Sequence, residues 1–194
     1  MEEITDEELV IAYRKGDQKS LEILIGRYLG QIHVFIRRLT GNDHDAEDIV
    51  QEAFVKAWRN LWRFDSRRRF RPWMFRIAKN AAVDHLRKRR TVPFSSFEDE
   101  RGNNILADSL TDDSPLPDEL LNRKDIGQAL AETIGRLPIT YREVLILRHH
   151  DGFAFGEIAE ITKCSVNTAK SRHRRGLAML RTMLCTDSRI KGVI

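Results

Sequence analysis

The chain has 194 residues, with 33 Lys and Arg against 29 Asp and Glu, so its formal net charge is +4 and 32% of its residues are charged. No uninterrupted apolar run exceeds four residues, which excludes the ~18 apolar residues that a membrane-spanning helix needs. Acidic Glu2 and Glu3 are unlike a secretory signal peptide, and two cysteines are too few for a disulfide scaffold, so we expect a cytoplasmic protein.

Charge is unevenly distributed along the chain. Residues 1–92 carry 19 basic and 14 acidic side chains, residues 93–125 carry 3 and 9, and residues 126–194 carry 11 and 6. The acidic middle is rich in Pro, Ser, Asn and Asp and has no sustained apolar period, which predicts a flexible linker. We therefore expect two domains, at 1–92 and 116–184, joined by a linker at 93–115 and followed by a tail at 185–194.

Apolar residues recur at helical spacing on both sides of the linker, and the alternation typical of strands is missing. The sequence therefore predicts an all-α protein made of two small helical domains. The predicted helices cover residues 6–14, 18–39, 45–62, 70–90, 116–136, 140–150, 155–161 and 165–184.

The third predicted helix has the clearest two-faced pattern. Its apolar stripe consists of Val50, Ala53, Phe54, Ala57, Trp58 and Leu61. The acidic residues Asp45, Asp48 and Glu52 fall on the opposite face. Carboxylates near the start of a helix are also favoured by the helix dipole, so the residues alone leave open a stabilising role and a docking surface.

Positive charge is concentrated in residues 59–90, which hold twelve basic residues and two acids. Five aromatic residues are interleaved with this charge: Trp62, Phe64, Phe70, Trp73 and Phe75. Such a mixture is typical of a surface that neutralises phosphates and stacks unpaired bases. The alternative is a surface helix with Trp73 and Phe75 buried in the core.

Helical register within this stretch predicts a polar stripe for nucleic acid. Arg76, Asn80 and Arg87 align on one face of the helix at 70–90, beside Trp73. Asn offers a donor and an acceptor to a base edge, and Arg binds a phosphate or a guanine. The basic runs 67–69 and 87–90 bracket this stripe.

The C-terminal block has the spacing of a helix-turn-helix, with a short helix at 155–161, a turn at 162–165 and a longer helix from Ser165. From Lys163 to Arg181 there are six bases and no acid. The outward residues of the second helix are predicted to be Asn167, Thr168, Ser171, Arg172, Arg174 and Arg175. This pattern favours a recognition helix in a DNA major groove. A helical hairpin with a basic solvent face is the alternative.

Signatures of catalysis are missing from the sequence. It contains no glycine-rich phosphate loop, nucleophile elbow or HExxH motif. His149, His150, Cys164 and His173 match none of the usual zinc spacings. We therefore expect no enzyme activity, no metal site and no cofactor.

Three stretches carry a resemblance to a known family: DAEDIVQEAFVKAW at 45–58, FRPWMFRIAKNAAVDHLRKRR at 70–90, and LP with YREVLILRHHDGFAFGEIAEITKCSVNTAKSRHRRGLAMLR within 137–181. In this order and spacing they closely resemble bacterial sigma factors of the extracytoplasmic-function (ECF) group. The resemblance implies sigma region 2 at 1–92 and sigma region 4 at 116–184. It also implies a protein that binds core RNA polymerase, recognises the minus-ten and minus-thirty-five promoter elements and promotes strand opening.

The resemblance assigns roles to individual residues. Docking on the clamp helices of the polymerase β′ subunit is implied for Asp45, Asp48, Gln51 and Glu52. Contacts with the minus-ten element are implied for Phe64, Arg67, Arg68, Arg69, Phe70, Trp73, Arg76, Asn80 and Arg87. Contacts with the minus-thirty-five element are implied for Ser165, Asn167, Thr168, Ser171, Arg172, Arg174 and Arg175. Region 4 would also contact the β flap, and the acidic linker would mimic nucleic acid inside the polymerase.

Further partners follow from the same resemblance. We expect an anti-sigma factor that holds the chain inactive. We expect the chain to be cytoplasmic, or to be held at the membrane by that anti-sigma factor. A stand-alone helix-turn-helix regulator remains the alternative function.

Some positions depart from the family pattern, among them His173, which lies on an otherwise apolar face. Residues 153–156 lack the Ser or Thr cap usual before the short helix, which predicts fraying there. Gly176 lies inside the recognition helix, where Gly costs ~1 kcal/mol relative to Ala.

Overall fold

The fold comes from a computed structural model that describes residues 4–89 and 124–186, below called the N-terminal half and the C-terminal half. Within these two stretches every regular element is a helix, which confirms the predicted all-α class. The helices are α1 (Asp6–Arg14), α2 (Gln18–Thr40), α3 (Asp43–Leu61), α4 (Phe70–Arg89), α5 (Lys124–Arg136), α6 (Ile139–Leu145), α7 (Phe155–Thr162) and α8 (Val166–Thr186). A π-helical turn, Ile146–His150, continues α6.

Helix boundaries follow the local capping chemistry. α1 has its predicted bounds because Thr5 and Glu8 form a capping box: Thr5 N donates to Glu8 Oε2 at 2.8 Å and Glu8 N to Thr5 Oγ1 at 3.3 Å. α3 begins two residues earlier than predicted, because Asn42 Oδ1 accepts from the His44 N–H at 3.0 Å. The predicted linker at 93–115, the start of the fifth predicted helix and the tail beyond 186 lie outside the described residues.

The N-terminal half is a four-helix bundle around the apolar stripes of α2, α3 and α4. Ile32, Phe35 and Ile36 of α2 are fully buried, and they belong to the same apolar core as Ile49 and Ala53 of α3. The buried residues of α4 are Phe70, Met74, Phe75, Ala78, Ala81 and Ala82. Small alanines at this spacing let α4 approach its neighbours closely, which fixes the orientation of its polar face.

The C-terminal half packs α8 closely across α6. A Cβ on Gly176 would lie 3.2 Å from Leu145 Cδ1 and 3.3 Å from Tyr141 Cβ. A side chain at this position would make unusually tight contacts, so Leu145 and Tyr141 would have to move by a few tenths of an ångström. Close packing against α6 thus accounts for Gly176, which departs from the family pattern.

The two halves pack directly on one another. Phe75 of α4 and Phe153, which precedes α7, are both fully buried, with ring centroids 4.8 Å apart and ring planes at 72°. Arg142 Nη1 of α6 donates to the Leu39 carbonyl of α2 at 2.8 Å. Buried residues from both halves form one continuous apolar core. This packing sets α7 of the helix-turn-helix against α4.

Candidate nucleic-acid interface

Three consecutive arginines project from the loop between α3 and α4. Arg67, Arg68 and Arg69 are exposed, and the side chains of Arg67 and Arg69 are 89% and 82% accessible. Asp65 orients the first of them, because Arg67 Nε donates to Asp65 Oδ1 at 3.0 Å and Arg67 Nη2 to Asp65 Oδ2 at 3.2 Å. These hydrogen bonds lower the pKa of the Asp65 carboxyl and raise the pKa of the Arg67 guanidinium. The loop therefore offers fixed positive charge to solvent.

An aromatic cluster lies directly behind this loop. The ring of Trp73 is 5.0 Å from Phe64 and 5.3 Å from Phe70, centroid to centroid. Phe64 and Phe70 are each only 4% exposed, whereas Trp73 is half-buried. Both rings are therefore packed mainly against neighbouring aromatic rings, and Phe64 also lines the pocket described below. Their contact with a DNA base stays a prediction.

Phe75 also corrects the sequence-based interpretation of the aromatic residues. It was expected among the rings available to bases, with burial as the alternative, and the structure shows burial. Its ring lies 5.2 Å from Phe35 and 4.8 Å from Phe153. Amphipathic spacing alone could not reveal this, because the partner ring comes from the other half of the chain.

A pocket of about 270 Å³ opens between the arginine loop and the first turns of α4. We call it the arginine pocket; it is lined by Arg63, Phe64, Asp65, Arg68, Arg69, Pro72, Trp73, Arg76 and Glu160. It combines guanidinium groups with the ring of Trp73, which suits an unstacked nucleotide. Glu160 is the only residue in this lining that comes from the C-terminal half.

The predicted polar stripe continues along α4 beyond the arginine pocket. Asn80 lies one helical turn after Arg76, and both are half-buried. Arg87 is exposed near the end of α4. The structure thus brings Trp73 and Arg76 into one pocket, places Asn80 beside it along the helix, and leaves Arg87 at a distance along the same element.

The outer face of α3 carries the residues predicted to dock on polymerase. Asp48, Gln51 and Glu52 are exposed. Glu52 Oε1 lies 2.6 Å from Lys56 Nζ, and this hydrogen bond lowers the pKa of Glu52. Asp45 differs, since its side chain is only 18% exposed and accepts a hydrogen bond from Asn42 Nδ2 at 3.1 Å. The Asp45 side chain is therefore engaged within the N-terminal half.

Sequence reasoning missed the apolar part of this outer face. Trp58 was assigned to the buried stripe, but it is 56% exposed, and its Nε1 donates to the Tyr13 hydroxyl at 2.6 Å. Val55 and Trp62 are exposed on the same face. An apolar groove of about 330 Å³ runs beside Trp58 between α2 and α3. The sequence pattern that could have revealed this apolar surface is the spacing of residues 48, 51, 55, 58 and 62. At this spacing, acidic and apolar side chains share one side of a helix.

The recognition helix begins at a polar cap. Thr168 N donates to Ser165 Oγ at 3.0 Å, and the two hydroxyls lie 2.8 Å apart. Ser165 and Asn167 are exposed at this N-terminus. The predicted major-groove residues thus start at the end of α8 that helix-turn-helix proteins direct toward base edges.

The basic residues further along α8 differ in their surroundings. Arg174 is exposed, whereas Ser171, Arg172 and Arg175 are half-buried. Arg172 Nη1 lies 3.7 Å from Glu143 Oε1, and Glu143 is almost fully buried. Burial raises the pKa of Glu143 to about 6, although Lys79 and Arg172 oppose the rise. Of the predicted set, Arg174 is the most accessible arginine.

The turn between α7 and α8 rests on two local features. Lys163 adopts the left-handed conformation with φ of 53° and ends α7. Fraying at the start of α7 was predicted from the missing Ser or Thr cap; the structure shows that Glu157 supplies a cap interaction, since its Oε2 accepts from the Ala154 N–H at 2.9 Å. Ile158 and Ile161 of α7 are fully buried.

A histidine pair lies behind the recognition helix. His149 Nε2 and His173 Nε2 are 2.8 Å apart, and the rings stack with centroids 5.0 Å apart. Burial, followed by the charges of His149 and Arg148, lowers the pKa of His173 to about 4. The described stretches contain no group of three or more metal-ligating side chains, and none of their helices has the length and apolarity to cross a bilayer.

Two family models and several known proteins are similar to this chain. The family model Sigma-70 region 2 matches residues 24–92, and Sigma-70, region 4 matches residues 127–180. ECF RNA polymerase sigma factor SigW of Bacillus subtilis (strain 168) is 33% identical over 172 residues, which cover 88% of this chain and 92% of that protein. ECF RNA polymerase sigma-E factor of Escherichia coli (strain K12) is 34% identical over 172 residues, with coverage of 88% and 90%.

A solved structure agrees with these relatives. CnrH in complex with the cytosolic domain of CnrY superposes with a TM-score of 0.69 at 28% sequence identity, covering 94% of this chain and 99% of that chain. The likeness extends over both halves of the chain.

Proposed function

Because the chain belongs to the ECF group of RNA polymerase sigma factors, we propose that its arginine pocket and its recognition helix divide the reading of one promoter between them. A sigma factor directs promoter-specific transcription initiation, and that is the function of this chain. One observation supports this division. The same chain has an arginine-lined pocket beside Trp73 and a capped basic helix within a helix-turn-helix.

The arginine pocket receives one unstacked base of the minus-ten element. Arg67, Arg68 and Arg69 hold the phosphates around it, since they are exposed and close to one another. Trp73 stacks on the extruded base, and Arg76 and Asn80 contact its edge or the adjacent backbone. Phe64 and Phe70 act indirectly by fixing the ring of Trp73.

Strand opening follows from capture of the separated strand. Unstacking a base costs a few kcal/mol, and binding of the extruded base in a preformed pocket offsets that cost without nucleotide hydrolysis. The chain therefore acts in this proposal as an initiation factor and not as an enzyme. Arg87 adds a phosphate contact at the far end of α4.

The recognition helix α8 reads the minus-thirty-five element. Ser165, Asn167 and Thr168 stand at its N-terminus and reach base edges. Arg174 holds a phosphate from its exposed position. The remaining predicted contacts are Ser171, Arg172 and Arg175.

Core RNA polymerase binds the outer face of α3 in this proposal. Asp48, Gln51 and Glu52 are exposed and present the polar part of the surface, and Trp58 presents an apolar part. Asp45 positions the start of the helix through Asn42. We assign the β′ clamp helices as the partner of this face and the β flap as the partner of the C-terminal half.

An anti-sigma factor is the second protein partner that we propose. The solved relative CnrH is bound to the cytosolic domain of a second protein, which supports regulation of this chain by a protein inhibitor. In this proposal the chain is cytoplasmic, and an inhibitor with a membrane anchor would hold it at the membrane.

Reconstituted transcription tests the proposed function. The purified chain is mixed with core RNA polymerase and a library of promoter fragments, and RNA is sequenced. We expect promoter-dependent transcripts that share two spaced sequence elements. Footprints of the chain on DNA without polymerase, together with no transcripts, would instead indicate a stand-alone regulator.

A further inference from the structure

Two side chains of α1 bind the backbone of the loop that carries the three arginines. Arg14, at the end of α1, binds the side of the loop that follows α3. Its Nη2 donates to the Leu61 carbonyl at 2.6 Å and also to the Phe64 carbonyl. The last carbonyls of a helix have no partner within the helix, and a guanidinium group there also opposes the negative end of the helix dipole. Arg14 therefore fixes where α3 ends and where the loop begins.

Glu7, seven residues earlier and thus on the same side of α1, binds the other end of the loop. Its Oε1 accepts from the Phe70 N–H at 2.7 Å, and Phe70 is the first residue of α4. The first N–H groups of a helix also lack partners within the helix, and a carboxylate is a favoured acceptor there. Such caps usually come from a residue next to the helix, whereas this one comes from a residue 63 positions earlier in the chain.

The backbone groups that α1 binds belong to the two rings that support Trp73. The rings of Phe64 and Phe70 lie 5.0 Å and 5.3 Å from the ring of Trp73, and 5.5 Å from each other. Each supporting ring is attached to a residue whose backbone is bound by Arg14 or Glu7. The position of the aromatic cluster behind the arginine loop therefore depends on α1.

Helix α1 has its own attachment to the rest of the N-terminal half. Asp6 Oδ1 accepts from Arg27 Nη1 of α2 at 2.7 Å, and its other oxygen accepts from the Tyr28 hydroxyl. Leu9 and Val10 of α1 are buried in the core. The helix is thus held in place by contacts that do not involve the loop, so it can serve as a fixed support for it.

We propose that Glu7 and Arg14 are positioning residues for recognition of the minus-ten element, with α1 as the support of the arginine loop. This inference rests on the proposed function of the arginine pocket as the minus-ten site. Both residues act through the loop backbone and the ring of Trp73, without touching DNA. The match to Sigma-70 region 2 begins at residue 24, so α1 lies outside the stretch that the family model describes.

Substitutions at the two positions test the proposal in the full-length chain. Glu7→Ala removes the acceptor for the Phe70 N–H, whereas Glu7→Gln retains an uncharged acceptor and is the conservative variant. Arg14→Ala removes both contacts with loop carbonyls. Lys15→Ala is the matched control, because it removes a positive charge from the next residue, which is exposed.

The surroundings of Trp73 are measured directly, without polymerase or DNA. The chain has three tryptophans, so labelling with 5-fluorotryptophan gives three fluorine NMR resonances, and Trp73→Phe identifies the one that belongs to Trp73. We expect Glu7→Ala and Arg14→Ala to shift or broaden this resonance. Glu7→Gln should keep it close to its position in the parent, and Lys15→Ala should leave it unchanged.

Promoter opening and binding to core polymerase are measured on the same four variants. Permanganate reactivity at saturating core polymerase should fall about tenfold for Arg14→Ala and roughly threefold for Glu7→Ala, because loss of charge-assisted hydrogen bonds lowers the population of the competent arrangement by such factors. Glu7→Gln should recover most of the opening. Affinity for core polymerase should stay within about twofold of the parent, since neither residue is on the outer face of α3.

Three results would overturn the proposal. The first is a Trp73 resonance that is the same in the parent, Glu7→Ala and Arg14→Ala. The second is normal opening by variants whose Trp73 resonance has moved. The third is a loss of core affinity as large as the loss of opening, which would show that the two residues only stabilise the fold.

Two further comparisons keep these outcomes distinct. If Arg14→Ala does not fold, the pair Glu7→Ala and Glu7→Gln gives the same test with a smaller change. Failure of the proposed function is seen separately, because Trp73→Ala would then open promoters as well as the parent does, with the α1 contacts intact.

Discussion

Glu143 of α6 and Arg172 of α8 face each other beneath the recognition helix, with Oε1 and Nη1 3.7 Å apart. Glu143 is almost fully buried, and its pKa is raised from the ordinary value of 4.5 to about 6 by that burial. The folded chain therefore binds this proton more tightly than the unfolded chain does. Ionised Glu143 beneath α8 therefore lowers the free energy of unfolding.

We predict that this carboxylate makes stability depend on pH. As pH rises from 4.5 to about 6, Glu143 ionises in the unfolded chain while the folded chain retains the proton, so the free energy of unfolding falls. Glu143→Gln lacks this loss, so the free energy of unfolding of the variant relative to the parent should rise by ~2 kcal/mol between these pH values. Urea unfolding at pH 4.5 and 7 measures the change. A constant difference would contradict the assignment.

His173 has an effect on stability over the same pH range with the opposite sign. Its pKa is lowered to about 4, so its contribution to stability is present above about pH 6.5 and is lost as pH falls toward 4. The two groups thus act in opposite directions over the same range. Because His173 is present in both the parent and Glu143→Gln, its contribution cancels in their difference.

Replacement of Trp73 should impair promoter opening. Loss of a base-stacking ring costs ~1–3 kcal/mol, so Trp73→Ala should lower open-complex formation about tenfold or more. Trp73→Phe keeps a ring beside Phe64 and Phe70 and should retain most activity. Permanganate reactivity of unpaired thymines in the minus-ten region measures opening. Equal opening by Trp73→Ala and the parent would place the stacking group elsewhere.

Asn80 and Asp48 should separate DNA reading from polymerase binding. Asn80→Ala should reduce opening while leaving the affinity for core polymerase nearly unchanged, because Asn80 lies on α4 beside the arginine pocket. Asp48→Arg should weaken binding to core polymerase, since it inverts an exposed charge on α3. Gel-shift assays with core polymerase and opening assays at saturating polymerase distinguish the two effects. Identical behaviour of the two variants would refute this division of roles.

Asn167 and Arg174 should differ in what they contribute to the minus-thirty-five contact. Asn167→Ala should relax discrimination at individual base pairs by ~1–3 kcal/mol, because Asn167 stands at the N-terminus of α8. Arg174→Ala should weaken binding to all sequences and reduce its salt dependence. Transcription from a library of minus-thirty-five variants at two salt concentrations gives both quantities. The reverse pattern would mean that the helix lies in another register.

Lys163 should be a site at which glycine stabilises the fold. Its φ of 53° is costly for a residue with a Cβ, so Lys163→Gly should add ~1 kcal/mol and raise the Tm by about 2–4 °C. Lys170→Gly, an exposed position within α8, should lower the Tm by a similar amount. Thermal unfolding followed by circular dichroism measures both. A lower Tm for Lys163→Gly would show that its side chain stabilises the turn.

Helices were predictable because their signals are local. Thr5 with Glu8 marks the start of α1, and alternating faces of period 3.6 mark the rest. The basic character of the loop before α4 was equally visible, and the structure places Arg68 and Arg69 of that loop in the lining of one pocket. Composition and register therefore sufficed for the elements and for the charge of the candidate site.

Side-chain direction was predictable only in part, because it depends on partners distant in sequence. Phe75 is buried against Phe153, and Trp58 is exposed while its indole N–H donates to Tyr13. Gly176 is explained by the crossing of α6 and α8. No periodic pattern encodes such long-range contacts, so the aromatic residues of a basic stretch could not be divided between core and surface from sequence.

The contact between Phe75 and Phe153 has a consequence for temperature. Apolar contacts weaken as water is cooled, and exposing such rings increases the heat capacity. The contact between the two halves should therefore weaken in the cold, and the population in which they are apart should grow as the temperature falls.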